Sequence, residues 1–345
     1  MMFDYQARRH FVDRMMVFLC GAAAFIALVP LGSLLWFVIL QGIKRMGTPG
    51  ILVAITVSLV LLALPYMIYK YLKHLPYLAY PLAFLAGLWV LGLLGQLWKV
   101  ASQIDWKDMG FFIHTPTPVG VPGGGMGNAI LGTLTLVAIA SCVGLPIGIL
   151  AGVYLSEFGK KGKFAWAVRF TADVLSGVPS IVTGIVAYTL IVKPMHHFSA
   201  VAGGVALGFM MIPITTRTTE ELVKMVPHSI REASWALGVP QWKTILLIVI
   251  RTAKNGILTG VLLSIARIAG ETAPLLFTAF NNQFWPTGIN QPTASLTVQV
   301  FTYAISPFED WHDQAWTGAL VLLLLVLAVN MAAKLLFKNP RQLLR

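Results

Sequence analysis
Charge is what this 345-residue chain has least of: 11% of its residues are Asp, Glu, Lys or Arg, where a soluble domain carries about 25%. With 57% hydrophobic residues and a mean hydropathy of +0.78, most of the chain cannot face water, which excludes a soluble globular fold. Acid is the scarcer sign, with 13 Asp and Glu against 25 Lys and Arg, a net charge of +12. In a soluble protein that excess would suggest nucleic acid; here it belongs to loops that meet anionic lipid. Cysteine is nearly missing. Cys20 and Cys142 both sit inside apolar blocks, which excludes a disulfide framework, and no Cys/His cluster has metal spacing. His196 and His197, beside Lys193 in a short connection, read as interfacial side chains. No Walker A sequence is present, and Gly123-Gly124-Gly125-Met126-Gly127 is followed by no Lys-Ser or Lys-Thr, so the chain has no nucleotide site of its own. An integral membrane enzyme would need a nucleophile, a metal set or paired carboxylates near the interface; no such cluster is found.

What the chain does have is long apolar blocks. A span needs roughly 20 apolar residues. Eight candidates follow in order: 15–40, 51–68, 78–97, 128–154, 174–192, 200–214, 256–280 and 316–337. The first lacks a small-residue cleavage site and is too long for a signal peptide. Residues 102–127 form a Gly- and Pro-rich linker, and Asn281–Ala315 holds no Lys or Arg. With the N-terminus (1–14) inside, and Lys334 near the end of the last span counted with the C-terminus (338–345), 19 of the 25 basic residues fall in cytoplasmic segments and five outside. The remaining one, Arg267, lies within a span. The positive-inside rule therefore puts both termini and the segment 217–254 in the cytoplasm.

That segment carries the most distinctive stretch, Arg231-Glu232-Ala233-Ser234-Trp235-Ala236-Leu237-Gly238. Pro227 can open a helix and Gly238 can close it in the left-handed region; Pro240 opens a second helix. Ile230, Ala233 and Leu237 share one face by spacing, with Arg231, Glu232 and Ser234 largely off it. A DNA-binding helix-turn-helix is excluded, because the second helix would offer Ile245-Leu246-Leu247-Ile248 to a groove that must be read by hydrogen bonds.

Arg267 and Glu271 are the buried-charge candidates, in Ser264-Ile265-Ala266-Arg267-Ile268-Ala269-Gly270-Glu271-Thr272-Ala273-Pro274. A central Arg costs at least about 2.5–3.5 kcal/mol on insertion scales, so an intramembrane ionisable residue is a functional hypothesis by default. Its fork of donors suits an oxyanion, and Glu271, one turn away on a continuous helix, would hold the guanidinium. The alternative is an i,i+4 ion pair stapling that helix, in the less favourable order.

These stretches resemble a known family. Glu232-Ala233-Ser234 and Gly238 are similar to the E-A-A-x-x-x-G signature of ABC importer permeases, although Arg251 stands where the pattern continues with Pro. Ala266–Thr278, Gly177–Gly184 and Asn282–Trp285 closely resemble phosphate ABC importer permeases of the PstA type, over about Gly123 to the C-terminus plus the first span. The resemblance implies an all-α polytopic inner-membrane protein: a six-helix permease core, with a helix pair at 51–97 inserted to give eight spans. It implies ATPase coupling through Arg231, Glu232, Ala233, Ser234, Leu237 and Gly238, and a phosphate path at Arg267 and Glu271. The partners implied are a homologous second permease of the PstC type, a dimeric ATP-binding subunit that carries ATP and Mg, a periplasmic phosphate-binding protein and membrane lipid. No cofactor and no nucleic acid are expected on this chain. Sulfate and molybdate also suit an arginine, so only the family resemblance selects phosphate.

Overall fold
The computed structural model describes residues 15–16, 30, 32–72, 76–104, 109–119, 121, 123–159 and 162–336. Most of the expected first span, 15–40, and the two terminal segments lie outside the described residues. The chain divides into two compact units, residues 1–108 and 109–345.

In the first unit α1 (Thr48–Leu72) packs along α2 (Pro76–Ala101). Both helices are apolar around their whole circumference, as a lipid-facing helix is. Leu52, Leu59, Val60, Phe84, Trp89 and Leu91 are exposed, whereas Ile43, Ala54 and Leu97 are fully buried.

The second unit is built on glycine. α3 (Gly127–Phe158) lies against α6 (Ala200–Lys224) closely enough that a Cβ at Gly144, Gly148 or Gly152 would come within 2.8, 2.6 and 2.6 Å of Met211, Thr215 and Thr219. Small residues four apart let membrane helices approach at backbone distance, where dispersion replaces the missing hydrophobic drive. α8 (Gln241–Ala269) reaches α6 in the same way, with Gly256 against Leu222 and Gly260 against Thr218. At that level the Thr215 hydroxyl donates to Ser264 Oγ over 3.3 Å. Leu136, Leu207, Met211, Ile268, Leu275 and Val298 form the core. α10 (Leu296–Ala304) and α11 (Glu309–Leu336) complete the bundle.

Three sequence-based boundaries change. The expected span 174–192 is two helices, α4 (Lys163–Gly177) and α5 (Ser180–Met195), bent by 107° at Val178-Pro179. Pro179 forces the residue before it into extended backbone (Val178 ψ is 129°), so one helix cannot run through. The expected span 256–280 is shifted: α8 begins at Gln241, stops at Ala269, and a short α9 (Ala273–Thr278) follows a break at Gly270-Glu271-Thr272. The cytoplasmic segment 217–254, in which Pro227 and Pro240 are expected to open helices, is narrowed by the long helices on either side, α6 running to Lys224 and α8 starting at Gln241. Among the described residues five helices are long and apolar enough to cross a membrane, six if α4 and α5 count as one span. The all-helical membrane class stands.

Candidate functional site
The connection 225–240 holds the first set of candidate residues. Pro227 caps α7 (His228–Ala236), and Gly238 closes it at φ +74°, a conformation that favours glycine. The face that Ile230, Ala233 and Leu237 share by spacing is divided in the structure. The inward side of this helix is Ile230, Arg231 and Ser234, while Ala233 and Leu237 are exposed, Leu237 by 83%. The cause is Glu157. It lies in a π-type turn, Tyr154–Phe158, at the end of α3, and its carboxylate is buried. Arg231 Nη2 donates to Glu157 Oε1 over 2.5 Å, and Nε lies 3.2 Å from both carboxylate oxygens. The other donors go to the carbonyls of Val226 (2.5 Å), Pro227 (3.3 Å) and Val223 (3.1 Å). A buried charge must be paired and saturated; no apolar contact from Ala233 or Leu237 could compete. Ser234 adds a bond to Thr244 over 2.8 Å. Glu232, Ala233, Trp235 and Leu237 therefore form the open face.

Beside α7 a second ion network ties α4 to α6. Glu220, 1% exposed, receives Arg169 Nε at 2.7 Å, Lys224 at 2.6 Å and Arg217 at 3.3 Å; Arg217 also pairs with Asp173. These carboxylates were not singled out by sequence, because the pairs Arg217–Asp173, Arg169–Glu220 and Arg231–Glu157 join residues 44 to 74 apart.

The second set lies on α8. Thr252, Asn255, Thr259, Leu263 and Arg267 recur at three- and four-residue intervals and are all exposed, while Ala253, Ile257, Gly260, Ser264 and Ile268 on the other side are buried. This is one stripe along a 29-residue apolar helix, polar at every position but Leu263. Its spacing was legible, although only Arg267 stood out as a charge. Arg267 sits in the helix's last turn rather than at a midpoint. Glu271 lies beyond the helix end, half-buried, with its carbonyl accepting from Thr297 Oγ1 over 3.0 Å. The two charges form no ion pair, and neither side chain has a polar partner among the described residues. Glu271 is thus no staple and does not hold the guanidinium: Gly270 ends the helix before the i,i+4 geometry is reached.

A bundle of this kind, with a helix-capped loop at one end and a polar stripe along one long helix, is an importer-permease fold. It is similar to that of the MetNI methionine ABC transporter in an inward-facing conformation, with a TM-score of 0.50 at 16% identity over 61% of this chain and 91% of that one. Residues 144–342 match the family of binding-protein-dependent transport system inner membrane components. The phosphate transport system permease protein PstA of Yersinia pestis is 46% identical over 256 residues, 73% of this chain and 87% of that protein. That of Haemophilus influenzae is 43% identical over 73% of this chain and 90% of its own length. The chain belongs to the PstA family of ABC importer permeases, multi-pass inner-membrane subunits that do not hydrolyse ATP themselves. Membership implies an ATPase and a substrate-binding protein as partners.

Proposed function
We propose that this chain forms half of the translocation path of an ATP-driven phosphate importer. The observation that carries the reading is the α8 stripe. Four polar or charged positions would have to be set against lipid if the helix faced it, and a guanidinium with no partner among the described residues makes that the costliest arrangement. An aqueous path removes the cost. Arg267 offers a planar fork of donors to a tetrahedral oxyanion, and Glu271 beyond the helix end adds a like charge that keeps the anion from binding too tightly to leave. The path's other half would come from a homologous second permease of the PstC type.

The open face of α7, with Glu232, Ala233, Trp235 and Leu237, would seat in a groove of a dimeric ATP-binding subunit, and Arg231, Ser234 and Gly238 would set its angle. A periplasmic phosphate-binding protein would deliver the substrate at the other end. Both termini would be cytoplasmic, and residues 51–97 would be a helix pair added to a six-span core within 128–337 and 15–40.

Two experiments test this reading. In proteoliposomes holding the chain with its partner permease, ATPase and binding protein, Arg267→Gln should lower phosphate uptake about ten- to a hundredfold, the worth of one charge-assisted hydrogen bond of about 1.5–3 kcal/mol. Uptake by the wild type should favour phosphate over sulfate and molybdate. Unaltered uptake by the variant would move the path off α8. Deleting residues 51–97 should leave the C-terminus on the same side in a protease-accessibility assay, since two spans are removed together; an inverted C-terminus would refute the eight-span topology.

A further inference from the structure
The ion network beside α7 opens onto a cleft of about 580 Å³ lined by Leu155, Ser156, Arg169, Lys224, His228 and Arg231. Its charge is unbalanced. Arg169, Arg217 and Lys224 converge on the single carboxylate of Glu220, Arg217 also takes Asp173, and Arg231 takes Glu157, so four cations meet three carboxylates. The arrangement is layered as well. The Glu220 and Glu157 side chains are 2% and 4% exposed, whereas those of Arg169 and Lys224 are 25% and 52% exposed. The carboxylates thus form the floor and the cations face the opening.

Donor capacity is left over in the same place. Arg231 is saturated, but Arg169 Nη1 donates to nothing among the described residues, Lys224 has one partner for three N–H groups, and the exposed ring of His228 has none. Arg169 Nε and Lys224 Nζ both donate to Glu220 Oε1, at 2.7 and 2.6 Å, which holds the guanidinium and the ammonium, with their spare donors, on one carboxylate oxygen. No acidic residue stands in the first turn of α7 to compete.

From this we infer that the cleft is an anion site, separate from the α8 stripe, that takes a phosphate group through Arg169, Lys224 and His228. Two sources share that chemistry. One is free inorganic phosphate. The other is the headgroup of an anionic phospholipid, which the neighbouring α4 favours by exposing Lys163 with Phe164, Trp166 and Phe170, the residue types that sit at a bilayer interface.

The test uses the full chain in phosphatidylcholine nanodiscs, with radiolabelled inorganic phosphate as the probe. Lys224→Gln and His228→Gln, the latter at an exposed position where folding is not at stake, should each weaken binding about tenfold, the effect of roughly 1.4 kcal/mol. Lys193→Gln, at an exposed cation that does not line the cleft, should leave this binding unchanged. In nanodiscs containing phosphatidylglycerol, a headgroup site would be revealed by loss of phosphate binding in the wild type. The lipid would then be retained through purification by the wild type and not by the two cleft variants. Binding of neither probe, or binding that both cleft variants leave intact, would overturn the inference. Phosphate binding lost only with Arg267→Gln would also overturn it while supporting the transport path.

Discussion

Replacing Arg231 by alanine should lower the stability of the chain by about 3–5 kcal/mol, the cost of breaking a buried ion pair by removing one partner. The pair is an expensive one to break because both sides are dry: each side chain is 4% exposed. Removal leaves Glu157 as an unpaired carboxylate at the end of α3 and frees the carbonyls of Val223, Val226 and Pro227 that the guanidinium gathers. Those carbonyls lie in the last turn of α6 and the connection to α7, so the loss falls on the element proposed to seat in the ATPase. Arg231→Lys should recover only part of the stability, since an ammonium keeps the charge but has neither the fork nor enough donors for five oxygens. Thermal unfolding in detergent, followed by tryptophan fluorescence, checks the order wild type, Lys, Ala. In the assembled transporter the alanine variant should retain subunit ATP binding and lose transport. An alanine variant within about 0.5 kcal/mol of wild type, the range of an ordinary surface change, would show that something other than this pair holds α7.

The same pair marks the limit of what the sequence discloses. Pro227 and Gly238 placed α7 correctly because proline and glycine act on their own backbone. The roll of α7 depended on Glu157, 74 residues earlier, and no local periodicity can report a partner at that distance. The apolar blocks were legible as membrane helices because hydropathy sums over a window, but not where they break. α8 continues to Ala269 as a helix that began at Gln241, so Arg267 moved from a midpoint to an end, and the Arg267–Glu271 spacing ceased to mean one helical turn. The bend at Pro179 was readable in principle, since an X-Pro step inside an apolar block is a boundary signal. What charge counting did not reveal was the three-cation cluster on Glu220, because a count by loop assigns Arg169 to one segment and Arg217 and Lys224 to another.

Glycine was the other silent signal, and it leads to the second large effect. Gly148→Leu should abolish folded protein rather than weaken it. A Cβ at Gly148 would already lie 2.6 Å from the Cβ of Thr215 and 3.1 Å from the carbonyl oxygen of Ile212, so even alanine forces α3 and α6 apart. The strain cannot be relieved by a rotamer change, because the obstacles are a Cβ and a backbone oxygen rather than the tip of a flexible chain. Overpacking of a core commonly costs 1–3 kcal/mol, and here the displacement would extend along the whole contact. Gly144 and Gly152, one turn to either side, have clearances of 2.8 and 2.6 Å, so the helices cannot pivot about a neighbouring point. The separation would also withdraw Thr215 from Ser264 and so loosen α8, whose outer face carries Thr259 and Arg267. Leucine at 148 is therefore expected to yield protein that fails to elute as a monodisperse species from detergent gel filtration. Leucine at Gly162, where a Cβ meets nothing within 4 Å, should elute as the wild type does. A monodisperse Gly148→Leu protein with unchanged unfolding temperature would mean that α3 and α6 do not meet at backbone distance. The glycine stripe would then have to be reassigned to a surface that another subunit covers.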